Sequence, residues 1–178
     1  MEVAIIGCSA SDILASCHVT ISSLTRSGHK VNAIITESDS LISPQSSSAS
    51  ANASNQKLLS ELGIVRTFFI DTFDYSAVTQ ANADAVNAYI KEVKPSLVIM
   101  PWWKSSNNMR RILSRVSLIA CRGIGTILMY EPGTENRDFV PTVIFESSPK
   151  GSNSAKIDEI EEKFESHRTL LLEEHGLF

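Results

Sequence analysis

The side chains best suited to chemistry lie in a short turn near the start of the chain. This turn combines a thiol, two hydroxyls and a carboxylate, at Cys8, Ser9, Ser11 and Asp12. A second thiol and an imidazole follow shortly afterwards, at Cys17 and His18. Carboxylate, thiolate and imidazole are the groups that bind zinc, so a metal site through Cys8, Asp12 or His18 is one interpretation of this stretch.

The spacing within the helix that follows the turn favours a different interpretation. Cys17 shares one apolar stripe with Leu14 and Ile21, whereas His18 points about 100° away from that stripe. We therefore expect a core cysteine beside a half-exposed histidine. No residue is assigned as a metal ligand or as a catalytic group.

The turn itself favours the binding of a small polar molecule. Asp12 stands where a helix begins and is expected to be its N-cap. Ser9 and Ser11 lie beside the unpaired N–H groups of the same helix start, where an anionic or polar group could be held. We therefore assign Ser9, Ser11 and Asp12 as candidate ligand-binding residues.

The elements that position this turn alternate between strand and helix. Apolar residues 3–6 enter the turn, a helix leaves it, and a second apolar run covers residues 31–35. Further strands are predicted at 66–70, 97–100, 126–130 and 142–146. Helices are predicted at 56–62, at 77–93, from 107 or 108 onwards, and from 155 to the vicinity of 175, with a mobile serine-rich loop at 38–55. This order predicts an α/β fold, a three-layer Rossmann-like sandwich with helices on both faces of a mostly parallel sheet.

Parallel sheets of this kind bind ligands beyond the carboxyl ends of their strands. Trp102 and Trp103 follow the predicted fourth strand, Asn108 lies at the next helix start, and Glu131 follows the predicted fifth strand. Aromatic rings stack on sugars and bases, and the positions of Asn108 and Glu131 place them beside the same cleft, so these four residues join the candidate ligand-binding set. Arg110 lies off the apolar stripe of its helix and is expected to be solvated or to meet an anionic ligand.

Length and composition indicate one globular domain covering residues 1–178. Hydrophobic residues make up 43% of the chain and charged residues 20%, which is ordinary for a globular protein. The longest apolar run, 97–103, is too short to span a bilayer, and residue 2 is acidic where a signal peptide would be basic. With three cysteines and no disulfide pattern, a cytoplasmic protein without membrane association is expected.

The net charge of −4 is concentrated near the end of the chain. Residues 156–174 hold three basic and seven acidic residues, whereas the remaining 13 basic and 13 acidic residues cancel. A neutral body gives no polyanion-binding surface, so nucleic acid is not expected as a partner. The acidic segment leaves a homo-oligomer possible.

Several short segments carry a family resemblance when taken in order. They are Gly28-His29-Lys30-Val31 with Thr36, Leu62-Gly63, Lys94-Pro95-Ser96-Leu97-Val98, Tyr130-Glu131, Phe139-Val140-Pro141, and Lys156 before the last predicted helix. In this order and spacing, nearly the whole chain resembles the LmbE/PIG-L family of zinc-dependent N-acetylglucosaminyl deacetylases. The resemblance implies an LmbE-like sandwich with its site at the turn of residues 8–13.

The same resemblance shows that most zinc-binding positions of the family have changed. It places the family's first zinc-binding His at Ser9, its general base at Ser11, and its zinc-binding Asp at Asp12. The second zinc-binding His falls near Asn108-Met109, where the chain has no histidine. Hydroxyls and a thioether are poor ligands for zinc, so we expect no cofactor and no zinc-dependent deacetylation.

The resulting hypothesis is an LmbE/PIG-L-like protein that binds a small sugar-like or nucleotide-like ligand in the cleft at the strand ends. Two alternatives remain open. One is a hydrolase acting on an N-acetylglucosaminyl-type amide with a rearranged metal site. The other is a non-catalytic, oligomeric interaction protein.

Overall fold

The computed structural model describes residues 1–36, 48–131 and 139, with the backbone alone described for 48–54. Its strands are β1 (Glu2–Gly7), β2 (Lys30–Ile35), β3 (Ile64–Phe69), β4 (Leu97–Pro101) and β5 (Thr126–Tyr130). Its helices are α1 (Ala10–Arg26), α2 (Ser48–Glu61), α3 (Gln80–Val93) and α4 (Asn108–Ala120). The strand predicted at 142–146 and the last predicted helix lie outside the described residues.

The five strands form one sheet in the order β3-β2-β1-β4-β5, and every neighbouring pair is parallel. Successive side chains of a strand point to opposite faces. Val3 and Ile5 accordingly pack into a core layer with α1 and α2, whereas Ala4 and Ile6 pack into a second layer with α3 and α4. The predicted three-layer α/β sandwich is confirmed.

The serine-rich segment contains more helix than its composition suggested. Helix α2 begins at Ser48, so the prediction of a loop extending to residue 55 is wrong. The three alanines within residues 48–54 have the strongest intrinsic helix preference and offset the serines. Leu59 is fully buried in the core layer of α1, which anchors the end of this helix.

The buried face of α4 combines the apolar residues Leu113, Val116 and Ala120 with two serines. Ser114 and Ser117 are fully buried, whereas Ile112 and Ile119 are half-buried. Small side chains on this face let α4 pack against α3 and β4. None of the helices described by the structure is long and apolar enough to cross a membrane.

Candidate functional site

The crevice between β1 and β4 is the place where this sheet reverses its winding direction. From β1 the chain continues to β2 on one side, and from β4 it continues to β5 on the other side. The two strands pair in register, with Val3 opposite Leu97 and Ile5 opposite Ile99, so their carboxyl ends lie side by side. Ligands of open α/β sheets bind at such switch points.

The loop after β1 is organised by a serine rather than by the expected aspartate. Ser9 is the N-cap of α1, and its hydroxyl accepts a hydrogen bond from the Asp12 backbone N–H at 3.1 Å. Ser11 is exposed, and its Oγ lies 2.8 Å from the Ser9 Oγ. The expectation that Asp12 is the N-cap is therefore wrong, because Asp12 lies three residues further on. Ser9 and Asp12 have the Ser-x-x-acid spacing of a capping box, which could have indicated this arrangement.

Asp12 forms an ion pair with Arg110, a residue from the first turn of α4. The Asp12 Oδ1 accepts a hydrogen bond from Arg110 Nε at 2.8 Å and lies 2.8 Å from Arg110 Nη2 in the same ion pair. The Asp12 side chain is 5% exposed and the Arg110 side chain 23%. Arg110 is therefore not a solvated helix-start residue, because its guanidinium is paired with Asp12. Its long side chain crosses the switch point from α4 to α1.

The second oxygen of Asp12 is held by two further donors. The Asp12 Oδ2 accepts from the Cys8 backbone N–H at 3.2 Å and lies 3.2 Å from the Tyr130 hydroxyl. That hydroxyl also lies 3.1 Å from the Ile6 carbonyl oxygen. Burial, and secondly the Asp12 charge, raises the pKa of Tyr130, so this hydroxyl stays protonated and acts as a donor. The candidate ligand-binding residues inferred from the sequence do not include Tyr130.

The cysteines with shifted pKa values are poor nucleophiles and poor metal ligands. Burial, and secondly the Asp12 charge, raises the pKa of Cys17 well above its usual value. Burial alone raises the pKa of Cys121 to about 11. Because the thiolate is the reactive form, both side chains are inert thiols at neutral pH. The predicted burial of Cys17 is confirmed.

His18 is buried, which corrects the expectation of half exposure. Its side chain lies in the interior, and its Nδ1 is hydrogen-bonded to the Leu14 carbonyl oxygen at 3.2 Å. Burial lowers the pKa of His18, and the hydrogen bond to Leu14 opposes that shift. The apolar stripe predicts burial for only one face of α1, whereas in the structure the neighbouring face, which carries His18, is buried as well.

The described residues around Asp12 do not fit a catalytic zinc ion. Zinc requires about three imidazole, thiolate or carboxylate ligands and one open position. Within residues 1–36, 48–131 and 139, no group of three His, Cys, Asp or Glu side chains is placed to hold a metal. Both Asp12 oxygens already accept hydrogen bonds, and one of them carries the Arg110 guanidinium.

The loop after β4 carries the two candidate tryptophans. The Trp102 backbone N–H donates to the Tyr130 carbonyl oxygen at 2.7 Å. The Trp102 ring makes an edge contact with the Phe139 ring, and the two ring centroids are 5.3 Å apart. Trp103 is 40% exposed, and the Lys104 Nζ lies 4.9 Å from its ring centroid. Trp102 therefore packs against neighbouring protein, whereas Trp103 presents an aromatic surface to solvent.

The two remaining candidates, Glu131 and Asn108, form hydrogen bonds within the protein. The Ser105 side chain is fully buried and donates to Glu131 Oε1 at 2.9 Å. Asn108 Oδ1 accepts from Arg111 Nη2 at 2.7 Å. The structure thus joins Ser9, Ser11 and Asp12 in one network. It places Trp103 and Glu131 just after β4 and β5, and Asn108 at the start of α4. The part of these residues in ligand binding remains a prediction.

Comparison with known proteins gives the class to which this fold corresponds. No family model and no curated protein sequence matches the chain. A conserved protein of Thermus thermophilus superimposes with a TM-score of 0.74 at 13% identity, over 94% of this chain and 79% of that one. The N,N'-diacetylchitobiose deacetylase of Pyrococcus horikoshii gives 0.63 at 14% identity, over 99% and 74%. An A40926 pseudoaglycone deacetylase gives 0.62 at 15% identity, over 96% and 82%.

The fold is therefore that of LmbE/PIG-L-type deacetylases. This confirms, at the level of the fold, the resemblance found in the sequence. Identities of 13–15% define the fold and leave the activity to be argued from the site.

Proposed function

We propose that this protein binds a small polar, sugar-like or nucleotide-like ligand at the β1–β4 crevice and does not perform zinc-dependent deacetylation. The observation that carries the proposal is the Asp12–Arg110 ion pair at the switch point. It places an internal cation on the carboxylate that the family resemblance assigns to zinc.

The chemistry of amide hydrolysis argues against deacetylation without that metal. A zinc ion lowers the pKa of bound water to about 7, which supplies the hydroxide nucleophile at neutral pH. General-base catalysis, worth roughly 10²–10⁴ in rate, would also be missing because the family's base position is occupied by Ser11. The two losses together remove both the nucleophile and the group that activates it.

The charge balance of the site suits an uncharged, sugar-like ligand better than an anionic, nucleotide-like one. The Asp12 and Arg110 charges cancel, and the Arg110 Nη1 has no hydrogen-bond partner among the described residues. Its N–H groups and the exposed Ser11 hydroxyl provide donors and an acceptor for ligand hydroxyls or amides. Such a set resembles the few polar groups that orient a ligand in ordinary binding clefts.

Trp103 supplies the apolar surface that such a ligand also needs. Its ring is 40% exposed in the loop that follows β4. Aromatic faces stack on sugar rings and on bases. A neighbour of the same fold is a deacetylase named for N,N'-diacetylchitobiose, which supports a sugar-like ligand for this chain as the first choice.

The ligand proposal is tested by thermal denaturation of the full chain against N-acetylglucosamine, N,N'-diacetylchitobiose and common nucleotides. A ligand at about one hundred times its Kd should add about 2.7 kcal/mol, which raises Tm by about 5–10 °C in a chain of this size. Trp103→Phe should retain the shift because it keeps an aromatic ring, whereas Trp103→Ala should lose most of it. No shift with any of these compounds would favour the oligomeric interaction protein.

The catalytic part of the proposal needs a separate assay. Acetate release from N-acetylglucosaminyl substrates is measured with added zinc and with a chelator. We expect no release under either condition. Zinc-dependent, chelator-sensitive release would instead support the hydrolase with a rearranged metal site.

A further inference from the structure

From the geometry around Asp12, we infer that Arg110 fills a cation site built into this protein, and that removal of its guanidinium leaves a site that accepts a small guanidinium ion from solution. This inference concerns the origin of the bound charge. It does not depend on which ligand, if any, the crevice binds.

The environment of Asp12 requires a positive charge. Its side chain is 5% exposed, so water screens the carboxylate poorly. Oδ2 receives hydrogen bonds from the Cys8 N–H and from the Tyr130 hydroxyl, which are both neutral donors. Among the described residues, Arg110 provides the ion pair to Asp12. Loss of that partner leaves a buried and uncompensated charge.

The guanidinium of Arg110 comes from a different element than the other groups that contact Asp12. Oδ1 contacts the guanidinium, with a hydrogen bond from Nε and an ion-pair contact to Nη2, both at 2.8 Å. The other contacts of Asp12 come from the loop between β1 and α1 and from β5, whereas Arg110 comes from α4. Truncation of Arg110 therefore leaves the carboxylate, its neutral donors and the helix start in place.

Truncation of Arg110 should make the Asp12 carboxylate reachable from solvent. The Arg110 side chain is 23% exposed, so its removal opens a path from the crevice to Oδ1. A free guanidinium ion matches the group lost, with the same planar geometry and charge. Methylguanidinium is therefore the probe that best matches the missing group.

The experiment compares Arg110→Ala with Arg111→Ala, a matched change one residue further along α4. Arg111 donates to the Ser105 carbonyl oxygen and to Asn108 Oδ1 rather than to Asp12. Arg110→Ala should lower Tm by about 5–10 °C, as expected for breaking a largely buried ion pair in a chain of this size. Arg111→Ala should lower it far less.

Methylguanidinium chloride at about 10 mM should then recover roughly half of the Tm lost in Arg110→Ala, by binding the folded state. It should leave the wild type, Arg111→Ala and the double variant Asp12→Asn/Arg110→Ala unchanged, relative to sodium chloride at the same ionic strength. Equal stability of the two arginine variants would overturn the inference, as would a Tm rise of similar size in all four proteins.

A second measurement covers the case in which Arg110→Ala does not fold. The double variant with Asp12→Asn should then fold without any additive, because it has no buried charge to compensate. Methylguanidinium during refolding should restore soluble Arg110→Ala protein. If the double variant does not fold and methylguanidinium does not restore soluble Arg110→Ala protein, the cation site is refuted. Because no sugar or substrate is used, this result is separate from the test of ligand binding.

Discussion

The carboxylate of Asp12 and the guanidinium of Arg110 meet at 2.8 Å although they are 98 residues apart in the chain. One belongs to the helix after β1 and the other to the helix after β4, the two strands between which the winding of the sheet reverses. An ion pair of the protein itself therefore spans the switch point at which open α/β sheets bind ligands.

Gly7 sets the distance between β1 and the residues that hold Asp12. A Cβ at this position would lie 2.5 Å from Ile13 Cγ1 and 3.2 Å from the Tyr130 hydroxyl. Gly7→Ala should therefore lower the free energy of unfolding by about 1–3 kcal/mol, as overpacking does in well-packed cores. Gly125→Ala is the control, since nothing lies within 4 Å of its added Cβ. Urea denaturation of both variants should separate them, and equal midpoints would show that the close approach is unimportant.

Ser9 should contribute to stability through the cap of α1. Ser9→Ala removes the acceptor for the Asp12 backbone N–H and should cost about 1 kcal/mol. Ser11→Ala alters an exposed hydroxyl two residues away and should stay within about 0.5 kcal/mol of the wild type. Chemical denaturation checks both values. An equal cost for the two serines would argue against the capping role.

Ser105 should stabilise the loop that carries the tryptophans. Its buried hydroxyl donates to Glu131 Oε1 and lies 3.3 Å from the Asn107 backbone nitrogen. Ser105→Ala leaves these groups without that partner and should cost about 1–3 kcal/mol. Ser106→Ala changes an exposed neighbour and serves as the control. A Ser105→Ala protein with the unfolding free energy of its control would contradict this assignment.

His18 should make the stability of the protein depend on pH. Burial lowers the pKa of His18 below its usual 6.5, so the unfolded state binds a proton more readily than the folded state does. The stability from neutral His18 is present above the unfolded pKa and is lost as the pH falls through 6.5 towards the folded pKa. The urea midpoint of unfolding should therefore be lower at about pH 5.5 than at about pH 7.5.

The contribution of His18 can be separated from that of other groups by substitution. His18→Gln should reduce the difference between the two midpoints, whereas His29→Gln should retain it. A pH dependence that is identical in the wild type and in His18→Gln would show that the proton is taken up elsewhere.

The parts of the fold that could be predicted are those determined by local pattern. The fifth strand was predicted at 126–130 and is observed at Thr126–Tyr130. Buried parallel strands are apolar on both faces, so they stand out as short continuous runs. Helix α2 was placed less well, because serine content suggested a loop where alanines and a buried Leu59 support helix.

The contacts that define the candidate site depend on pairings between distant residues. The turn after β1 was recognised from its residue types, but the sequence could not show that Arg110 reaches Asp12 from α4. The position of Tyr130 depends on β5 lying next to β4, which the order of elements along the chain does not specify. The burial of His18 depends likewise on tertiary packing rather than on the stripe of its own helix.

We propose that the positive charge beside Asp12 belongs to Arg110 and not to a metal. The most direct test of this proposal is the zinc content of the wild type and of Asp12→Asn after equilibrium dialysis against zinc, measured by elemental analysis. We expect both proteins to retain the same amount, well below one ion per chain. One tightly bound zinc ion per wild-type chain, absent from Asp12→Asn, would contradict the account.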